Sequence, residues 1–347
     1  MNSVTLGWDL GGAHVKAVLL DADGSALHAM QAPCPLWRGM SHLEVAIDAV
    51  LDTFSRPVAR HAVTMTGELA DIFSSRHEGV HSLASAMHDR FSRQGIHFYA
   101  ARHGFIPYED VNAHSADIAS ANWHASASFV AGNIADALLI DVGSTTSDLV
   151  VLHDGRAAVL AYSDAERMRH EELIYTGVIR TPVMAVVRQV PFDGTWQGVA
   201  AEHFATMADV YRLTVDLTEA CDMAETADGA GKSLEDSARR LARMVGRDLA
   251  DAGLLQWRAL ALAIKSAQLR TLQQAAERAY SRGLLAEDAP LVGAGAGRFL
   301  VRELARNMAR PYRDVAEWVT AEANVADWAV TCLPAYAVAR LSASKSR

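Results

Sequence analysis

Two stretches of the chain place an aspartate at the end of an apolar strand, just before a turn of small residues. The first is VTLGWDLGGAHVKAVLLD at residues 4–21, and the second is ALLIDVGSTTSDLVVLHD at residues 137–154. Neither turn contains a bulky side chain, so backbone N–H groups and hydroxyls can approach a phosphate closely. The pattern therefore predicts two turns that grip one polyphosphate and its metal ion from both sides.

The first of these turns combines an acid, two glycines and a lysine. Asp9 ends the strand, Gly11 and Gly12 form the turn, and Lys16 lies in the next strand. An aspartate in this place can hold Mg²⁺ through water while backbone N–H groups meet phosphate oxygens. Lys16 would add a positive charge beside the leaving phosphate. A tight hairpin with an incidental acid and lysine is the alternative, and one copy alone does not decide between them.

The second copy favours the functional interpretation. Asp141 takes the place of Asp9, and Asp148 lies in the following strand. The turn between them offers backbone and hydroxyl groups from Gly143, Ser144, Thr145 and Thr146. We therefore predict that Asp9 and Asp141 hold one Mg²⁺ and act with Lys16 as the catalytic residues.

A third glycine-rich turn, PLVGAGAGRFLVREL, occupies residues 290–304 and leads from a strand into a helix. Its glycines, Gly293, Gly295 and Gly297, lack the GxGxxG spacing of a dinucleotide site, and no acidic residue ends a following strand. A packing turn is one interpretation. Its position after two phosphate turns favours an adenosine-type loop, which leaves open whether it holds an adenosine.

Three further residues are candidates for substrate binding. Glu68 follows a strand in MTGEL, where it could orient a substrate or act as a base, or be a solvated turn carboxylate. Arg180 and Thr181, in GVIRTPV, could bind a carboxylate or a phosphate, or belong to an ordinary surface loop.

Two short motifs resemble known sites without the element that the chemistry requires. HEGVH at residues 77–81 matches the H-E-x-x-H pattern of zinc proteases, which needs both histidines on one face of a continuous helix. Gly79 predicts an interruption, with the helix starting near Val80. ADGAGKS at residues 227–233 ends like a P-loop but has Thr226 where the first glycine is needed. We therefore expect a flexible loop there.

The three turns fall into a chain that is too long for one ordinary core at 347 residues. Strands and helices alternate in the first part, which predicts an N-terminal domain over residues 1–136. The second domain then covers residues 137–347, with a helical region at about 198–282 and the adenosine-type loop at 290–304.

The composition excludes several classes of function. Half of the residues are apolar, 21% are charged, and the net charge is −9. No basic stretch offers a surface for nucleic acid. The three cysteines are scattered, which favours reduced thiols over a disulfide framework or a zinc site. No run of about 18 apolar residues predicts a membrane span. We expect a soluble, cytoplasmic protein that binds small molecules.

The order of the three turns resembles the actin-like ATPase superfamily, which includes sugar kinases, Hsp70 chaperones, actin and the hydantoinase/oxoprolinase proteins. The resemblance covers most of the chain. It implies an α/β protein with the RNase H-like fold: two duplicated βββαβα domains, a cleft between them and a helical insertion in the second. The turns would be phosphate loops one and two and the adenosine loop.

Several longer stretches resemble one group within that superfamily. TMTGELADIFSSRHEGV, YTGVIRTPVMAV, TWQGVAAEHFATMADVYRLT and DWAVTCLPAYAVARL are similar to hydantoinase-like proteins encoded with tetrahydromethanopterin-linked one-carbon genes in methylotrophs. Archaeal relatives in that group make methanofuran. One departure is His14, where relatives often have asparagine. It leaves the backbone of the turn intact and puts a direct side-chain contact at that position in doubt.

This resemblance implies a transferase reaction. An aminomethyl-furanylmethyl diphosphate condenses with the phenol of γ-glutamyltyramine to an aryl ether and releases diphosphate, with Mg²⁺ as cofactor. ATP is compatible with such a site but is not required by the reaction. Asp9 or Asp141, directly or through water, would accept the phenolic proton.

Two other functions stay open at the level of sequence. An ATP-dependent kinase or hydantoinase-type enzyme would use the same turns to transfer a γ-phosphate. A non-catalytic nucleotide-binding module would bind ATP without turnover, although no filament or partner segment is recognisable. The oligomeric state also stays open, and a homo-oligomer is compatible with the sequence.

Overall fold

The computed structural model describes residues 4–344. Its strands are β1 (Thr5–Leu10), β2 (His14–Leu20), β3 (Ala26–Pro33), β4 (Arg60–Met65), β5 (Gly95–Tyr99), β6 (Phe105–Ile106), β7 (Ala137–Val142), β8 (Ser147–His153), β9 (Arg156–Ala157), β10 (Leu173–Ile174), β11 (Gln189–Phe192), β12 (Thr195–Gly198), β13 (Leu291–Ala294) and β14 (Tyr312–Asp314). Its α-helices are α1 (Ser41–Leu51), α2 (Arg76–Phe91), α3 (Ser115–Ile118), α4 (Asn122–Ala131), α5 (Asp164–Arg169), α6 (Val183–Val186), α7 (Met207–Thr214), α8 (Leu234–Met244), α9 (Leu254–Tyr280), α10 (Arg298–Asn307), α11 (Ala326–Thr331) and α12 (Leu333–Ser344).

The first sheet has six strands in the order β3-β2-β1-β4-β5-β6. Strand β1 pairs antiparallel with β2 and parallel with β4, and β4 pairs parallel with β5. Successive side chains of a strand point to opposite faces. Leu6, Trp8 and Leu10 enter one hydrophobic core with residues of α1 and α2. The alternation therefore directs Gly7 and Asp9 to the other face of the sheet.

The second sheet repeats this arrangement. Its order is β10-β8-β7-β13-β14, with β9 paired to β8. Strand β8 pairs antiparallel with β10, and β13 pairs parallel with both β7 and β14. In both sheets the strand that begins the unit lies third from one edge, between its hairpin partner and the first parallel strand. This repeated topology is the RNase H-like fold of the actin-like ATPase superfamily, and it confirms the predicted fold class.

The chain divides into two compact units, and the division differs from the predicted domains. The first unit contains the residues up to Asp136, Leu152–Arg167 and the residues from Val315, and the second contains Ala137–Val151 and Met168–Asp314. The prediction had placed everything after residue 136 in the second domain. For the end of the chain this prediction is wrong, because the last helix packs on the first sheet.

Helix α12 packs on β1, β2 and β4 of the first sheet. Most of its apolar side chains are buried, including Leu333, Tyr336 and Val338. A Cβ at Gly7 of β1 would lie 2.0 Å from the Ala335 carbonyl oxygen, so glycine allows this helix to approach the strand. A helix this rich in apolar residues needs a buried place, and the first sheet provides it.

Helix α2 also differs from the prediction. It begins at Arg76, with Ser75 as N-cap accepting a hydrogen bond from the Glu78 amide, and it continues through Gly79. The expected interruption at Gly79 is therefore wrong. A Cβ at this position would lie 2.4 Å from the Glu68 carbonyl oxygen. Close packing of the helix on the turn at Glu68 outweighs the low helix propensity of glycine.

The region predicted as helical, 198–282, begins where β12 ends and contains α7, α8 and α9, which pack on one another. The β13–α10 segment forms the strand–turn–helix expected around residues 290–304. Across residues 4–344, every helix is too short or too polar to cross a membrane.

Candidate active site

The first predicted turn places an acid and a base side by side. Asp9 of β1 and Lys16 of β2 are directly opposite each other in the antiparallel pair. The Lys16 ammonium lies 3.6 Å from Asp9 Oδ2, and Asp9 is only 3% exposed. Burial raises the pKa of Asp9, and the neighbouring Lys16 charge opposes that rise. The pair is thus a buried carboxyl group with a half-buried cation beside it.

One oxygen of this carboxyl group has no protein partner. Asp9 Oδ1 is buried and accepts no hydrogen bond from the described residues. Thr64, which matches Asp9 on the parallel neighbour β4, likewise has a buried hydroxyl that finds no partner within residues 4–344. Buried polar atoms are normally satisfied, so two such atoms on adjacent strands indicate a place where a ligand or water supplies the missing bonds.

Glycine is needed in this turn for different reasons at its two positions. A Cβ on Gly11 would lie 2.6 Å from the His14 carbonyl oxygen, whereas one on Gly12 would find its nearest neighbour, Gly67 Cα, at 3.9 Å. The protein's own packing therefore requires glycine at Gly11 but not at Gly12. At Gly12, glycine would instead allow a ligand to approach the backbone closely.

Glu68 lies next to this turn, in the short 3₁₀ turn Gly67–Leu69 that follows β4. A Cβ on Gly67 would lie 3.3 Å from the Gly11 carbonyl carbon, so the two turns touch. Glu68 is fully buried, which excludes the solvated turn carboxylate considered above. Burial is the main cause that raises its pKa to about 7.

The sequence did not predict which residues surround Glu68. Ser120 donates a hydrogen bond of 2.7 Å to Glu68 Oε1, and the same hydroxyl lies 3.5 Å from Asp164 Oδ2. Arg76 pairs with Asp164 at 2.7 Å. These residues come from separate parts of the chain, and no spacing pattern connects them. Only the folded first unit brings them together.

The second predicted turn is held by backbone hydrogen bonds. The Gly143 amide donates to the Thr146 carbonyl oxygen at 2.9 Å. The Ser144 carbonyl oxygen accepts from the amides of Ile179 and Arg180 at 3.1 and 2.9 Å. The Ser144 hydroxyl is buried and has no hydrogen-bond partner among the described residues. As at Asp9, an unsatisfied polar atom points to a missing ligand or water.

Thr181 supports this turn from behind. Its hydroxyl accepts from the Gly177 amide at 2.8 Å and donates to the Thr145 carbonyl oxygen at 3.3 Å. A Cβ at Gly177 would lie 2.4 Å from the Ser144 carbonyl carbon, so this segment packs directly on the turn. The structure gives the Thr181 hydroxyl a structural partner on each side, whereas the neighbouring Arg180 is exposed. Substrate binding by Arg180 stays a prediction.

The third glycine turn lies against Asp141. Gly295 has φ +75°, and a Cβ there would lie 2.3 Å from Asp141 Oδ1. A Cβ on Gly297 would lie 2.5 Å from Val142 Cγ1, and one on Gly293 would lie 2.7 Å from the Tyr312 hydroxyl. Packing inside the second unit therefore accounts for all three glycines. It neither requires nor excludes an adenosine.

The predicted residues thus form two groups, one in each unit. The first unit brings together Asp9, Lys16, the glycines of the first turn and, through Gly67, Glu68. The second unit brings together Asp141, the turn at 143–146, Thr181 and the glycine turn at 293–297.

The donor groups fit Mg²⁺ and substrate phosphate. Mg²⁺ usually keeps several waters and takes one or two protein carboxylates together with phosphate oxygens. The buried Asp9 Oδ1, which has no hydrogen-bond partner among the described residues, fits this role in the first unit. The described three-residue clusters with metal-ligand spacing lie elsewhere, at His103–His114–Asp117 and Asp136–His153–Asp154. Neither contains a residue of the two turns.

Comparisons with known proteins identify the family of the chain. The hydantoinase/oxoprolinase family matches residues 60–339. The (4-{4-[2-(gamma-L-glutamylamino)ethyl]phenoxymethyl}furan-2-yl)methanamine synthase of Methanocaldococcus jannaschii is 30% identical over 249 residues, which are 72% of this chain and 73% of that protein. The synthase of the same name from Methanococcus vannielii is 34% identical over 124 residues, 35% of this chain and 55% of that protein.

Solved structures show a more distant similarity. The activator of the 2-hydroxyisocaproyl-CoA dehydratase from Clostridium difficile is 10% identical with a TM-score of 0.45, covering 100% of this chain and 97% of that one. A ROK family glucokinase from Streptomyces griseus is 14% identical with a TM-score of 0.47, covering 98% and 99% of the two chains.

Proposed function

The chain belongs to the hydantoinase/oxoprolinase family and to the group of the M. jannaschii methanamine synthase, and on this premise we propose the reaction that it catalyses. Family membership supports a biosynthetic enzyme that acts on small molecules. The proposed reaction joins an aminomethyl-furanylmethyl diphosphate to the phenol of γ-glutamyltyramine. Its products are the aryl ether and free diphosphate.

The first turn is the observation that carries the proposal. It combines a buried carboxyl group with an unpartnered oxygen, a lysine opposite it and a glycine that the protein's own packing does not require. A diphosphate ester brings the anionic oxygens that such a turn can bind through backbone N–H groups and a cation. The name of the related synthases supports the choice of substrate, and the first turn is where we propose that its diphosphate binds.

The chemical step needs charge stabilisation more than covalent chemistry. The bond between the furanylmethyl carbon and the diphosphate oxygen breaks, and its electron pair leaves with the diphosphate. The electron-rich furan ring stabilises the resulting cation, and the phenol oxygen forms the new C–O bond. Lys16 would neutralise charge on the departing diphosphate, as pre-organised charges do in other active sites.

The phenolic proton must go to a base. We propose Asp9 or Asp141 for this role, directly or through water, as the sequence predicted. Asp9 and Asp141 are also the residues that would hold Mg²⁺. When bound, this ion supplies a Lewis acid for the diphosphate oxygens. ATP has no part in this balanced reaction.

One experiment tests activity and site together. Purified protein is incubated with the furanyl diphosphate, γ-glutamyltyramine and Mg²⁺, and the ether and diphosphate are measured by mass spectrometry and a diphosphate assay. We expect equal amounts of both products and no consumption of γ-labelled ATP added in a parallel reaction. Asp141→Ala should lower the rate by about 100-fold or more, the size of loss typical for a group that stabilises transition-state charge.

A matched variant controls for folding. Asp288→Ala removes an exposed carboxylate from the same unit and should leave the rate unchanged. An unchanged rate in Asp141→Ala would exclude the proposed metal position. If the unmodified protein instead forms no ether and transfers the γ-phosphate of ATP, the kinase or hydantoinase-type alternative replaces the proposal.

A further inference from the structure

A second polar cluster lies beside the first turn, and the proposed reaction does not use it. It consists of Glu68, Ser120, Asp164 and Arg76, which the first unit collects from four parts of the chain. The Ser120 hydroxyl lies within 3.5 Å of both carboxyl groups. Arg76 forms an ion pair with Asp164 and acts on Glu68 through its charge. Glu68 Oε2 is buried and has no hydrogen-bond partner in the described part of the chain.

The charges of this cluster do not balance. Two carboxyl groups share one guanidinium, and Glu68 is 0% exposed while the Arg76 side chain is 40% exposed. An unpaired carboxylate without solvent is costly unless a cation and N–H donors reach it. The raised pKa of Glu68, about 7, is consistent with this shortage: burial raises it first, and the Asp164 charge adds to the rise.

The backbone around Glu68 is specialised to hold it there. Gly79 in the first turns of α2 is required because a Cβ would lie 2.4 Å from the Glu68 carbonyl oxygen. Ser120, which donates to Glu68, has φ +52°, a left-handed conformation that is unfavourable for a residue with a side chain. Strained, buried polar arrangements of this kind concentrate at functional sites.

We propose that Glu68 and Asp164 form a binding site for a primary ammonium group of a substrate. This inference rests on the proposed function, because both proposed substrates carry such a group. An ammonium ion supplies the positive charge that the cluster lacks and an N–H donor for Glu68 Oε2. The contact between Gly67 and Gly11 places the site beside the turn proposed for the diphosphate.

The ammonium could come from either substrate. The furanyl diphosphate carries an aminomethyl group, and γ-glutamyltyramine carries the α-amino group of its glutamyl part. The ammonium group is chemically the same in both substrates, so two pairs of substrates are needed to show which one supplies it. One pair is the furanyl diphosphate and its isostere with ethyl in place of aminomethyl. The other pair is γ-glutamyltyramine and glutaryltyramine, which lacks the α-amino group.

The measurement is kcat/KM for each member of both pairs, with the unmodified protein, Glu68→Gln and the control Glu44→Gln. Glu44 is an exposed carboxylate on α1 of the same unit. We expect the unmodified protein and Glu44→Gln to prefer the amine in one pair by about 10- to 100-fold, the value of one charged hydrogen bond. Glu68→Gln should reduce that preference to within about twofold. A preference that persists in Glu68→Gln overturns the proposal.

Two more variants move the pH dependence in opposite directions. The preference for the amine should appear as Glu68 ionises near pH 7, because the substrate ammonium stays protonated until a much higher pH. Ser120→Ala removes a donor to the carboxylate and should shift this transition to higher pH. Asp164→Asn removes a repelling charge and should shift it to lower pH. A cluster with only a structural role would give no such opposite shifts, and their absence counts against the ammonium site.

The two proposals can fail separately. If the unmodified protein forms no ether, the proposed function is wrong, and calorimetry still tests the ammonium site. The probes are γ-glutamyltyramine, [5-(aminomethyl)furan-3-yl]methanol and their deaminated counterparts. If ether forms but the unmodified protein discriminates against neither deaminated substrate, the ammonium site is wrong and the proposed function stands.

Discussion

The two phosphate turns share a topology but differ in charge. In the first unit Asp9 is buried and faces Lys16 across the hairpin. In the second unit Asp141 is partly exposed, and the residue at the position corresponding to Lys16 is Asp148. The second turn contains three hydroxyl residues where the first contains none. The repeated fold therefore fixes the backbone of both turns, whereas the side chains give each a separate task.

The residues that pack against the two turns also differ in charge. The first turn touches Gly67, which leads to the ionisable Glu68. The second is supported by the neutral hydroxyl of Thr181. We infer that, apart from the paired acids Asp9 and Asp141, the first turn contributes charge, which depends on pH, and the second contributes directional hydrogen bonds, which do not. Variants of the two turns should reveal this difference in charge, and Lys16 should show the largest effect.

Lys16→Met should cause the largest loss. It removes the cation beside the leaving diphosphate while keeping the length of the side chain, so we expect kcat/KM to fall by about 100- to 1,000-fold. Asp148→Asn, at the corresponding position of the second hairpin, should change kcat/KM by less than about threefold. Diphosphate release under identical Mg²⁺ concentrations measures both.

A different outcome would contradict this contrast between the two hairpins. Similar losses from Lys16→Met and Asp148→Asn would show that both hairpins contribute charge to the reaction. The thermal midpoint of each variant should be measured beside the rate, because removal of Lys16 leaves Asp9 buried without its cation and also lowers stability at neutral pH.

Glu68→Gln should change how stability depends on pH. The folded protein raises the pKa of Glu68 from 4.5 to about 7, so between these values the native state keeps a proton that the unfolded state loses. The free energy of unfolding of the unmodified protein therefore falls as pH rises through this window. Glu68→Gln lacks this term. Its stability relative to the unmodified protein should increase by up to about 3 kcal/mol between pH 4.5 and 7.5.

Urea unfolding at several pH values checks this, with Glu44→Gln as the exposed control. Because each variant is compared with the unmodified protein at the same pH, the titration of other groups cancels. A relative stability that stays flat would mean that Glu68 is charged in the native state throughout and has a cationic partner.

Thr181→Val should destabilise the protein equally at all these pH values. The change keeps the shape of the side chain but leaves the Gly177 amide without its acceptor, at a cost of about 1 to 3 kcal/mol. No ionisable group is involved. Urea unfolding at pH 5 and pH 8 should therefore give the same difference from the unmodified protein, in contrast to Glu68→Gln. A difference that changes with pH would mean that Thr181 is coupled to a titrating group.

The part of the site that could be predicted from the sequence is the part made by local segments. A strand, a small-residue turn and a second strand can be recognised because each hairpin forms from neighbouring residues, and Asp9 and Lys16 face each other as a direct result. The two copies identify the fold for the same reason. Strand–turn–helix at Gly293–Gly297 is local as well.

The remaining features depend on contacts between distant segments. Ser120 and Asp164 reach Glu68 only after folding, and no residue near Glu68 in the sequence predicts these contacts. Gly79 suggested a break because helix propensity disfavours glycine, but packing on Glu68 decided its position. Helix α12 follows the second unit in sequence and is buried on the first, which only its apolar surface could have indicated.

Gly12→Ala and Gly143→Ala should have the smallest effect on stability and still reduce activity. Neither glycine has a positive φ, and an added Cβ would lie 3.9 Å and 3.4 Å from its nearest neighbours. Alanine therefore fits the fold, and the free energy of unfolding should change by less than about 1 kcal/mol. Each methyl would nevertheless lie where backbone N–H groups must approach a phosphate, so kcat/KM should fall about tenfold. Gly295→Ala, whose Cβ would lie 2.3 Å from Asp141 Oδ1, is the contrasting variant that should lose stability itself. If Gly12→Ala and Gly143→Ala keep full activity, phosphate does not contact these backbones, and the two turns are hairpins that support a site located elsewhere.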